Sequence, residues 1–134
     1  MKKLIIGLSV VAVVLIVIYF ANKGAEISTI KIGVLVPLTG DAASYGESEN
    51  RAIQIAVEEI NNAGGIDGRK IEVVTEDGKC DPQAGGTSAQ KLVNIDKVKI
   101  IIGGACSGET LAAAKITEPA KVILISPSAS SPKV

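Results

Sequence analysis

The chain has 134 residues, 14 basic and 14 acidic side chains, no histidine, two cysteines, two tyrosines, one phenylalanine and no tryptophan. Without histidine there is no Ser-His-Asp or Cys-His machinery and no His-ligated zinc or haem. A balanced charge, no basic run and so few aromatics give neither an electrostatic footprint nor a stacking platform for nucleic acid, and the length suits one domain.

Met1-Lys2-Lys3 precedes an uncharged apolar run from Leu4 to Ala21. A helix of that length spans about 27 Å, close to the hydrocarbon thickness of a bilayer. Lysines before the run predict the N-terminus inside and everything after Asn22 outside. No good small-x-small cleavage site follows, with Tyr19 two positions before Ala21 and Lys23 two before Ala25, and no cysteine is placed for lipidation. A membrane anchor is therefore favoured over a cleaved signal peptide for residues 1–25. Either one puts the rest of the chain in an extracytoplasmic space, the periplasm or the cell surface.

Ile30 to Leu38 is a β-branched apolar run ending around Pro37, which reads as a strand buried on both faces. From about Tyr45 to Ala63, Ile53, Ala56, Val57 and Ile60 recur at helical spacing and predict a helix with one buried stripe, stopped by Gly64-Gly65. Asp67-Gly68 makes a turn, and Lys70 to Thr75 gives a second strand. Asp81-Pro82 is an N-cap followed by proline at the first helical position, opening a helix to about Ile95. Lys99 to Gly103 is a third strand. Ser107 is expected to cap a helix to about Ala120, which Pro119 must bend or end. Val122 to Ser126 is a fourth strand, followed by a loop. The alternation of strands and helices predicts an α/β, doubly wound parallel sheet with helices on both faces. No helix follows to cover the fourth strand, so the chain is expected to be a fragment of a longer one.

Ligands in such sheets bind beyond the carboxyl ends of the strands. There the sequence places Thr39 to Gly46, Gly104 to Gly108 and Ser126 to Ser131, three loops of small hydroxyl residues and glycine. Ser107 stands at a helix N-terminus, where free N–H groups and the helix dipole favour an anion such as a small molecule's carboxylate. Gly103 to Thr110 has the spacing of a phosphate-binding loop, but Glu109 stands where the lysine would be and repels a triphosphate. Asp77 and Asp81 could be drawn as an acid-base pair, although such residues more often cap turns and helices. No enzyme activity is expected, and no cofactor. In an exported domain Cys80 and Cys106 most simply pair, two free buried thiols being the alternative. Two cysteines without histidine make a poor metal set.

In combination these residues resemble the branched-chain amino acid (Leu/Ile/Val) binding proteins of ABC transporters. The likeness rests on Lys31 to Val34, Pro37-Leu38-Thr39-Gly40, Tyr45-Gly46, Glu59-Ile60-Asn61, Ala63 to Gly68, Asp77 to Pro82, Ile102 to Ser107 and Ser126 to Ser130. It implies a type 1 periplasmic binding protein fold, with residues 30–134 as the N-terminal part of the first of two lobes. It further implies that Cys80 and Cys106 are the family's disulfide, that Ser107 binds an α-carboxylate, that Ser128 offers backbone contacts, and that Ser130 holds the carboxylate or the amino group. Tyr45 would pack over the ligand's side chain. The implied partners are a small-molecule ligand, an amino acid or similar, and the transporter's membrane permease subunits. The alternative function is the ligand-binding region of a membrane-anchored sensor built on the same fold.

Overall fold

The computed structural model describes residues 29–134. The apolar N-terminal segment and the anchor expected there lie outside the described residues. Seven elements follow in order: β1 Ile30–Val36, α1 Ala43–Asn62, β2 Ile71–Asp77, α2 Pro82–Asn94, β3 Ile100–Gly103, α3 Ser107–Thr117 and β4 Ile123–Ile125. Among them no helix is long and apolar enough to cross a membrane.

All strand pairs are parallel, in the order β2-β1-β3-β4. The chain steps from β1 outward to β2, then returns past β1 to β3 and β4. With right-handed crossovers, that reversal puts α1 on one face and α2 and α3 on the other. Side chains agree with this assignment. Leu35, Leu92, Ile101, Ala89 and Ala113 form one buried cluster under α2 and α3. Fully burying a leucine or isoleucine there contributes about 1.5–3 kcal/mol each. On the opposite face Thr75, paired with Val34, is tied to Asn50 of α1.

The element order matches expectation, with ends shifted by a few residues. Two local features differ, the burial of α1 and the end of α3. The α1 stripe is shallow: Ile53 and Val57 are half-buried, whereas Ala56 and Ile60 are exposed. The helix is held chiefly at its ends, by Gly46 against Pro37 and by Asn61, whose side-chain amide and carbonyl bond the Ile71 backbone. β4 is open, as expected for a strand with no helix to cover it: Ile123 and Ile125 are 57% and 55% exposed. It is an edge strand, and α1 lies over β1 and β2, too far across the sheet to cover it. The second difference is that α3 ends at Thr117 rather than near Ala120: Glu118 keeps helical angles and bonds the Ala114 carbonyl, but Pro119 has no N–H to carry the ladder on.

Candidate functional site

Strand order reverses between β1 and β3, so the crevice beyond their carboxyl ends is the natural place for a ligand. Gly103, at φ 141°, lets the end of β3 approach the Leu35 carbonyl where any Cβ would overlap it. A pocket of about 310 Å³ lies at this edge, lined by Pro37, Ala42, Tyr45, Ala105, Cys106 and Ser128. The three loops singled out by their composition thus meet at one place.

Hydrogen bonds from backbone N–H groups and hydroxyls hold those loops in shape. Asp77, at the end of β2, accepts from Leu38 N–H at 2.8 Å, from the Thr39 hydroxyl at 2.5 Å and from Lys79 N–H at 3.0 Å. Burial pushes the Asp77 carboxyl up, but the bonds from Thr39, Leu38 and Lys79 outweigh it and hold the group below its ordinary 3.8. Its contribution to stability is therefore present above the ordinary carboxylate value and is lost as pH falls through the lowered one. Asp77→Asn is expected to cost about 1–3 kcal/mol in denaturant unfolding at neutral pH, and to flatten the acid limb of the stability profile. Asp81 caps α2 by accepting Ala84 N–H at 2.8 Å. Both aspartates therefore have structural partners, as capping residues do.

The β4 loop is built from serine hydroxyls. Ser126 donates to the Gly104 carbonyl at 2.7 Å and accepts Ala129 N–H at 2.9 Å. Ser128 lies within reach of the Ala105 carbonyl and of a Glu49 carboxylate oxygen on α1. Ser107 accepts Ser131 N–H at 3.1 Å, which leaves its own hydroxyl proton free to donate. Ser107 is the first residue of α3 and not its cap, as the sequence had suggested: the N-cap is Cys106. The cause is Glu109, three residues on, whose carboxylate reaches back to Cys106 N–H at 3.3 Å.

Of the residues proposed for binding, Tyr45 and Ser128 line the pocket, and Ser107 adjoins it through Cys106. Tyr45 is 74% exposed at the pocket's rim. Ser130 sits on the same loop but is exposed and outside the lining. Cys80 and Cys106 form a disulfide with Cα atoms 5.2 Å apart, joining the β2–α2 loop to the start of α3. Two acidic residues near this edge escaped sequence reasoning. Glu49 carries no motif and reaches Ser128 only through the fold. Glu109 was noticed only as the residue standing where a phosphate-binding loop has lysine, because the capping-box pattern needs serine or threonine three residues before the glutamate and Cys106 stands there. Among the described residues no group of side chains could hold a metal ion.

A family model described as periplasmic binding protein matches residues 29–134. The leucine-, isoleucine-, valine-, threonine- and alanine-binding protein of Pseudomonas aeruginosa is 40% identical over 115 residues, which are 86% of this chain and 31% of that protein. The Leu/Ile/Val-binding protein of Escherichia coli K12 is 37% identical over 119 residues, 89% of this chain and 32% of that one. Among solved structures, the branched-chain amino acid transporter substrate binding protein of Streptococcus pneumoniae, in complex with isoleucine, superposes with a TM-score of 0.76 at 45% identity, covering 78% of this chain and 30% of that chain. A leucine binding protein from Thermotoga maritima gives 0.72 at 31% identity, covering 78% and 29%. The chain thus spans about a third of the length of these relatives, and its parallel α/β sheet is consistent with the type 1 periplasmic binding protein fold.

Proposed function

The chain belongs to the periplasmic binding protein family, and from that premise we propose that it is part of an extracytoplasmic solute-binding protein that delivers a small carboxylate-bearing solute to an ABC transporter. Residues 30–134 are the N-terminal part of its first lobe, and the solute we favour is a branched-chain amino acid. The observation that carries this reading is the meeting of the three loops at the switch point, with Ser107 at the head of α3. Free N–H groups and the helix dipole there favour an anion, and the Ser107 hydroxyl still has its proton to give. The pocket beside it is lined mainly by Pro37, Ala42, Ala105 and the Tyr45 ring, which suits an apolar side chain. Such a protein binds and releases its solute without breaking bonds. The sensor alternative draws no support over transport, because the relatives named above are amino-acid-binding and transporter proteins.

The test is calorimetry on the full-length protein against a panel of amino acids. Ser107→Ala is expected to weaken binding about 10- to 100-fold, the effect of losing a hydrogen bond to a charged group. Tyr45→Ala is expected to weaken it several-fold, with the largest loss for bulky apolar ligands. Unchanged affinity in both variants would place the site elsewhere.

A further inference from the structure

Glu109 is fully buried, and the binding reading leaves its carboxyl unused. One oxygen accepts Cys106 N–H, and the other, Oε1, has no partner. The side chain occupies a cage of glycines drawn from three segments. A Cβ at Gly78 would overlap Oε1, one at Gly85 would come within 2.7 Å of Cγ, and one at Gly104 within 2.9 Å of the same atom. The β2–α2 loop, α2 and the β3–α3 loop therefore all leave room for this one carboxyl.

No cation answers it. The two ion pairs among the described residues are Lys31–Glu72 and Lys91–Glu76. The charged groups acting on Glu109 are carboxylates, Asp77 from the end of β2 and Glu49 from α1. Next along the same loop, the Lys79 side chain is exposed and its N–H is committed to Asp77, while Asp81 at the head of α2 is committed to Ala84 N–H. Residues 104–106 carry no titratable side chain apart from the bridged Cys106. Glu109 therefore draws on the same helix N-terminus that would receive a ligand carboxylate at Ser107, two residues away. Two negative charges at the end of one helix compete for a single set of N–H groups and a single dipole.

We propose that an ionised Glu109 and a bound ligand carboxylate exclude one another, so that solute binding takes up one proton from solvent onto the Glu109 carboxyl. Glu109 is then a positioning residue: neutral, it holds the Cys106 turn while leaving the helix dipole to the ligand. Burial pushes its carboxyl above the ordinary 4.5, the Cys106 and Ala105 N–H groups pull it back, and Asp77 and Glu49 add to the rise, so taking up a proton costs less here than at a free glutamate. The inference rests on the carboxylate site proposed above.

Calorimetry on the full-length protein, with L-isoleucine as the probe and pairs of buffers of different ionisation enthalpy, counts the protons taken up between about pH 5 and 8. The expected result is uptake rising toward one proton per ligand as pH rises, with Kd increasing by up to tenfold per pH unit over that range. Glu109→Gln is expected to bind with a flat pH profile and no uptake, whereas Glu49→Gln keeps both the uptake and the slope. Binding of L-isoleucine without proton uptake overturns the inference and leaves the proposed function standing. So does uptake that survives in Glu109→Gln or disappears in Glu49→Gln, and the wild-type and Glu49→Gln arms decide the matter if Glu109→Gln does not fold. No binding of any amino acid would overturn the proposed function and this inference together.

Discussion

Replacing Cys80 and Cys106 together by serine is expected to lower the unfolding free energy by about 3.5 kcal/mol, read from denaturant titration against the oxidised wild type. The bridge closes a sequence separation of 26 residues. In the chain-entropy model, freeing a loop of that size returns about 3.5 kcal/mol of conformational freedom to the unfolded state. Strain on the native side is a partial offset, since a strained turn can relax once the bridge is gone. Lys79 and Cys80 both have φ of 56°, a left-handed pair that costs roughly 1–2 kcal/mol per non-glycine residue and needs surrounding bonds to persist. Asp77 holds the first of them through Lys79 N–H, and the disulfide holds the second. Cys106 is also the N-cap of α3 and lines the pocket, so the same double variant should bind amino acids more weakly. A loss below about 1 kcal/mol would mean that Asp77 and the backbone hydrogen bonds hold this loop without the bridge.

The strands and their order were legible because each apolar run is short, β-branched and bounded by glycine, proline or aspartate. Parallel pairing then followed from the helical stretches between them. The three candidate loops were legible for a related reason, since the topology alone sends the ends of β1, β3 and β4 to one edge. What sequence could not supply was the depth of burial on each helix face. Ile53, Ala56, Val57 and Ile60 have sound helical spacing, but spacing says only which residues share a face, not whether a sheet lies close beneath all of them. Ile123 and Ile125 are the contrasting case: the absence of a following helix was legible, and the edge strand is exposed accordingly.

The acidic residues failed to declare themselves for a different reason. Glu109 was visible only as the wrong residue in a phosphate-loop spacing, a use that excluded a ligand and assigned nothing. Its role depends on Gly78, Gly85 and Gly104, which lie in three separate stretches and become a cage only after folding. Glu49 is similar: its contact with Ser128 spans 79 positions, and no local pattern encodes it. Short-range rules identify caps and turns, whereas a site made of loops from several strands is defined by long-range neighbours.

Two glycines in helices separate local preference from packing, and they are expected to respond to the same substitution with opposite signs. Gly86 lies within α2, where an added Cβ would meet only the Ala112 Cβ at 3.9 Å. Gly86→Ala should therefore stabilise the fold by about 0.5–1 kcal/mol, through helix propensity and a less disordered unfolded chain. Gly46 lies in the first turns of α1 and is the one buried residue of that helix. A Cβ there would overlap the Pro37 carbonyl and come within 2.9 Å of Pro37 Cδ. The obstacle is backbone from a strand end plus a rigid ring, so neither partner can rotate away. Overpacking of this kind outweighs the propensity gain, and Gly46→Ala is expected to cost about 3 kcal/mol net. Because Pro37 and Tyr45 both line the pocket, the same change should push α1 off the site and weaken amino acid binding more than Tyr45→Ala does. Denaturant unfolding of the two alanine variants side by side checks the sign. If Gly46→Ala proved as stable as Gly86→Ala, the close seat of α1 on Pro37 would not be what fixes the helix against β1.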